Sequence, residues 1–149
     1  MRGKTKVAVF AAAMLVLGSA AALATPGVGA TSVVLGSKQL ARFSVQQRDA
    51  SVVVARNTYD AGGDSGWHSH PGKVVIAVES GAITIYRGDD ATCTGKTHAA
   101  GDVFLEKPGT VYLGRNESST TPAVLIATFF GVGDAGARID EPDPGNCSF

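Results

Sequence analysis

"GGDSGWHSHPGKVVIAVESG", residues 62–81, sets two histidines one residue apart at the head of a β-branched run and brackets them with glycines. On an extended strand, side chains at i and i+2 point to the same face, so His68 and His70 project together. Two ligands of one metal would be arranged this way, and two rarely hold a metal without others. Trp67 alternates with them and is expected to pack on the opposite strand face. Ser80 and Gly81 read as the tip of a hairpin, which would make the strands on either side of them antiparallel neighbours.

Outward from this stretch the pattern stays that of β structure. Short runs rich in Val, Ile, Thr and aromatics recur at Thr31 to Leu35, Ser51 to Tyr59, Lys73 to Glu79, Ala82 to Arg87, Asp102 to Glu106, Thr110 to Asn116 and Ala123 to Phe130. Each is bounded by Gly, Pro, Asn, Asp or Ser, and no window after the N-terminal segment sustains a 3.6-residue apolar period. Glycine fills 19 of 149 positions, which suits many tight turns. The fold class is all-β, an antiparallel sandwich or small barrel in a single domain.

The first residues follow a different logic. Arg2, Lys4 and Lys6 precede an apolar stretch from Val7 to Leu17, and small residues follow, which is the layout of a secretory signal peptide. The apolar core is shorter than the roughly 20 residues of a membrane-spanning helix. Cleavage is expected after Ala24, with Ala30 as the alternative, leaving an exported mature chain from residue 25 to 149 and no membrane segment. The leader holds three of the 13 basic residues and none of the 13 acidic ones, so the mature chain is mildly acidic. It has no basic cluster, which argues against nucleic acid as a partner.

Cys93 and Cys147 are the only cysteines. An even count in an exported chain points to an intrachain disulfide tying the Pro-rich tail, residues 132–149, to the "GDDATCTGK" segment. Neither cysteine has the close C-x-x-C partner of a redox or metal pair. Asn116 and Asn146 head formal glycosylation sequons. There is no phosphate-cradling glycine loop and no nucleophile elbow.

The order of turns and histidines resembles the cupin superfamily. Its first motif places five residues between Gly and a His-x-His pair, then a Glu three or four residues on and a Gly six further. Gly62, His68, His70 and Gly81 fit, with Val74 in the Glu slot. Its second motif matches "GDVFLEKPGTVYLGRN" from Gly101 through Gly109 to Asn116, with Lys107 in the Pro slot next to Pro108 and Tyr112 in the His slot. The resemblance implies a cupin-type jelly roll, the double-stranded β-helix, over about residues 40–131. It also implies a site at the motif residues, where two of the four expected ligands are replaced.

Candidate ligands are therefore His68 and His70, with Tyr112 or His98 to complete them, and Tyr112 and Val74 as pocket-lining residues. Valine has no donor atom, whereas a tyrosine phenolate binds hard cations once a metal displaces its proton. His98 approaches Gly101 across the expected turn. Glu79 falls at an odd offset from His70 and so points to the opposite face unless a bulge intervenes. Glu106 alternates with Leu105, so with Leu105 in the core Glu106 faces solvent. A divalent transition metal (zinc, manganese, iron, copper or nickel) is the cofactor the set implies.

Three functions are consistent with these residues. The chain binds a small molecule or metal without turnover, or it is a metal-dependent dioxygenase or isomerase, or it is a structural barrel whose histidines line an empty polar pocket. Loss of two donors ranks binding first, because catalysis needs firm ligation. Resemblance to cupins also implies a homodimer through edge strands.

Overall fold

The structure, a computed structural model, describes residues 25–40, 50–133 and 136–149; the expected signal peptide lies outside them. Among the described residues there are ten strands and no helix, hence none long and apolar enough to cross a membrane. The strands are β1 (Val28–Leu40), β2 (Ala50–Asp64), β3 (His68–Ser69), β4 (Val74–Ser80), β5 (Ala82–Arg87), β6 (Lys96–Ala99), β7 (Val103–Glu106), β8 (Tyr112–Arg115), β9 (Ala123–Val132) and β10 (Ile139–Asp140). All seven expected strands are present; β3, β6 and β10, each of two to four residues, are too short for periodicity to mark.

They form two antiparallel layers, β1-β2-β9-β4-β7 and β10-β3-β8-β5-β6, joined where Asp64 of β2 pairs with Arg115 of β8. The core between them is aliphatic and aromatic. Val74, Ile76 and Val78 of β4, Leu125 and Ala127 of β9, and Ile83 and Ile85 of β5 are buried at every second position. Alternation along each strand is what sends these residues to one face and their neighbours to the other.

The Ser80-Gly81 turn is not a hairpin. β4 pairs with β7 and β9, and β5 pairs with β6 and β8, so the chain crosses from one layer to the other here. Gly81 has φ +71°, and a Cβ there would lie 2.5 Å from the Pro122 carbonyl oxygen, so the crossing requires glycine. Turn chemistry was readable in the sequence; the choice of partner strand is made by distant residues.

Cys93 and Cys147 form the expected disulfide. Both sequon asparagines are engaged. Asn116, 1% exposed, donates from Nδ2 to the carbonyls of Asp60 and Thr121, and Asn146 donates to those of Arg87 and Asp90. In the folded chain Asn116 therefore pins two loops together, and its amide is closed to glycosylation.

Candidate metal centre

His68 ends up in β3 and His70 just beyond it, with Pro71 following. A proline disfavours the helical region for the residue before it, which keeps His70 extended and in phase with His68. Both rings are buried and border one cavity of about 380 Å³ between the layers, and they meet edge to face with centroids 4.8 Å apart. Trp67, buried on the opposite side of the strand, does not border that cavity.

The third member comes from the other layer. Glu106 is 4% exposed, and its Oε2 lies 2.9 Å from His70 Nε2. This corrects the expectation that Glu106 faces solvent: Val103 and Leu105 are the exposed pair of β7, and Phe104 and Glu106 turn inward. Val103, Phe104 and Leu105 are all apolar, so alternation gave no phase, and pairing with β4 decides it. In that ladder Glu106 lies directly opposite Val74. The carboxylate absent from the expected slot on β4 is thus supplied by the residue facing that slot on β7.

His68, His70 and Glu106 each offer a donor atom, all within 4.8 Å of one another. Both imidazoles are oriented by backbone. Nδ1 of His68 lies 2.9 Å from the Gly66 carbonyl oxygen, and Nδ1 of His70 lies 2.7 Å from that of Ala137. A carbonyl only accepts, so each Nδ1 carries hydrogen and each Nε2 is left as the metal-binding nitrogen. Donors about 2.1 Å from a shared ion sit roughly 3.4 Å apart in tetrahedral geometry, so small side-chain rotations close the set. Two imidazoles and a carboxylate fit a transition metal.

Burial, with the Arg138 guanidinium second, pushes the His68 imidazole down to about 4, and Glu106 opposes this. At neutral pH the ring is therefore uncharged and ready to ligate. In the metal-free protein the same shift sets a pH dependence. Between pH 6.5 and 4 the unfolded chain takes up a proton that folded His68 refuses, so stability is intact above this window and falls as pH drops through it. The loss reaches about 3 kcal/mol below pH 4. Urea midpoints measured across that range should fall less steeply with acid in His68→Gln than in the parent.

The remaining candidates make other contacts. Tyr112 lies across from His68 in the β3–β8 ladder, but its ring packs in the core cluster and its hydroxyl accepts the Lys107 N–H. It does not border the cavity as expected; instead it braces the end of the strand that carries Glu106. Val74, fully buried, does line the cavity. His98 is buried on β6 with its ring stacked on Phe104 at 4.1 Å and is not part of the donor trio. Glu79 sits on the outer face, paired with Arg56 at 2.7 Å.

Residues with no signal in the sequence complete the walls. Asn57 of β2 borders the cavity, and its buried Oδ1 has no hydrogen-bond partner. Arg138, from the C-terminal tail, borders it from the other side and donates to the Ser65 carbonyl.

A family model described as "Cupin domain" matches residues 55–129. The chain belongs to the cupin family. Solved cupin structures show the same fold. An uncharacterized conserved protein with a double-stranded β-helix domain from Klebsiella pneumoniae is 21% identical at TM-score 0.56, over 75% of this chain and 85% of that one. A cupin-like protein from Thermotoga maritima is 18% identical at TM-score 0.57, over 78% and 80%. An oxalate oxidase is 19% identical at TM-score 0.51, over 69% of this chain and 51% of its own. No curated protein matches the sequence. The cupin motifs thus located the His pair, and the fold supplied the third donor from a position of the second motif that is not one of its expected ligand slots.

Proposed function

We propose that this is an exported cupin that holds one divalent transition metal through His68 Nε2, His70 Nε2 and the Glu106 carboxylate, and binds a small molecule beside it. The observation that carries this reading is the buried trio, with both Nδ1 atoms already committed to carbonyl oxygens. Three protein ligands leave a metal open to a further donor. The cavity walls say what else the ligand needs: Val53, Ala55, Leu125 and Phe129 present an apolar surface, interrupted by the free Asn57 oxygen. A compact, partly apolar molecule with an oxygen donor for the metal and an N–H or O–H for Asn57 suits this space.

Metal analysis after loading purified protein singly with manganese, iron, cobalt, nickel, copper and zinc tests the reading. One equivalent of at least one metal is expected, with none retained by His68→Ala/His70→Ala. Absence of any stoichiometric metal would sink it. Catalysis is the second reading, supported by the donor set itself: two histidines and one carboxylate around open positions is the ligand pattern of non-haem iron oxygenases. Dioxygen uptake by the Fe(II)-loaded protein, present with a stabilising small molecule and absent without it, would move the assignment to enzyme.

Export is supported by the disulfide, which belongs in an oxidising compartment. Cleavage after Ala24 rather than Ala30 is supported by Thr25, whose Oγ1 accepts the Trp67 N–H and whose own N–H donates to Glu141. N-terminal sequencing of the mature chain decides between them. A second copy pairing along the outer edge is supported by exposed Val33, Val34 and Leu35 on β1, and sedimentation equilibrium tests it.

A further inference from the structure

His68 and His70 are oriented by carbonyls of different origin. The partner of His68, Gly66, is two residues away and moves with the same turn. The partner of His70, Ala137, is 67 residues distant and belongs to the C-terminal segment. We propose that Ala137 is a positioning residue for His70, and that the strap carrying it, residues 137–147, is held over the site by the Cys93–Cys147 disulfide. Metal affinity then depends on a covalent bond that lies outside the site. The affinity part rests on the metal reading above; the orientation of His70 does not.

The strap runs antiparallel to the ligand strand, pairing Ile139 with Ser69 and Asp140 with His68. Glu141 fastens its middle: its N–H donates to the Trp67 carbonyl at 3.0 Å, and its Oε1 accepts the Ser69 hydroxyl at 2.6 Å. These contacts flank the His68–His70 segment and bring the Ala137 carbonyl to the outer nitrogen of His70. A two-residue ladder whose strap side is exposed is weak by itself, because few buried contacts oppose its local opening. Besides the bonds of Arg138 to Ser65 and of Asn146 to Arg87 and Asp90, Cys147 supplies a covalent hold, joined to Cys93 on the turn after β5. A ligating histidine whose second nitrogen loses its partner is free to change tautomer and ring orientation, and such outer contacts typically account for about 10–100-fold in metal affinity.

The two histidines provide an internal control. The experiment compares the full mature chain with its Cys93→Ser/Cys147→Ser variant, below the variant's melting temperature, by imidazole nitrogen NMR without metal and by Zn2+ competition against a chromophoric chelator. The His70 Nδ1–H signal should be lost or broadened in the variant while that of His68 persists, and Zn2+ should bind roughly 10–100-fold more weakly. Glu141→Pro gives a second test with the disulfide intact, because it removes the N–H accepted by Trp67 and the carboxylate that meets Ser69. It should reproduce the selective loss at His70. An unchanged His70 signal in whichever of these variants folds overturns the proposal. Parent protein that takes up no Zn2+ counts against the metal reading, and the His70 signal still decides the strap.

Discussion

Exchanging two cross-strand partners, Val74→Glu together with Glu106→Val, should leave stoichiometric metal binding intact, whereas Glu106→Val alone should abolish it. The two residues face each other in the β4–β7 ladder, and both border the cavity. Side chains directly opposite in an antiparallel pair have Cβ atoms about 5 Å apart and point to the same face. A carboxylate moved across the ladder therefore still reaches the two imidazoles after a change of rotamer. Losing it removes one of the three proposed ligands, an effect larger than the roughly 100-fold ceiling for an outer partner. The single variant also leaves His70 Nε2, which lies 2.9 Å from the carboxylate in the parent, facing an apolar side chain inside the core, at a cost of about 1–3 kcal/mol. Glu106→Gln separates the two consequences, since it keeps a polar partner for His70 while lacking the charge a metal needs. Metal analysis and urea denaturation of the four proteins check both. If the double exchange binds no metal, the carboxylate must approach from β7, and the two positions are not equivalent.

That exchange also marks where the sequence could be read. His68 and His70 were legible because a His-x-His pair on a strand has one geometric outcome, and Pro71 reinforces it. Valine at position 74 was read correctly as unable to ligate. Its consequence was not, because the compensating glutamate follows Val103-Phe104-Leu105, a run with no polar residue to set its phase. Only pairing with Val74 and Val75 turns Leu105 outward and Glu106 inward. Tyr112 was placed at the right point of the right strand, yet the hydroxyl that made it a candidate ligand is occupied by the Lys107 N–H. The strap was invisible for a different reason. Ile139–Asp140 is too short for periodicity, and a backbone carbonyl such as that of Ala137 has no residue-type signature at all.

Replacing both cysteines with alanine should lower the folding stability of the mature chain by about 4 kcal/mol. The bond links residues 54 apart, and the chain-entropy treatment assigns about that much to a loop of this length through restriction of the unfolded ensemble. For a domain of this size it corresponds to a fall of about 15 °C in Tm. The folded state has contacts of its own that resist the loss. Asn146 donates to the carbonyls of Arg87 and Asp90, while Phe149 lies against Tyr86 and beneath the Arg115 guanidinium. All of these belong to the same C-terminal anchor, so they are weakened together once Cys147 is free. Thermal and urea unfolding of the metal-free proteins give the value without any contribution from ligation. A loss under about 1 kcal/mol would mean that these non-covalent contacts suffice to hold the tail. The tail would then stay on the ligand strand in the reduced chain, and the thermodynamic basis for coupling the disulfide to His70 would be gone. A loss near the full loop-closure value makes the disulfide the main anchor of the segment that supplies the carbonyl at His70 Nδ1.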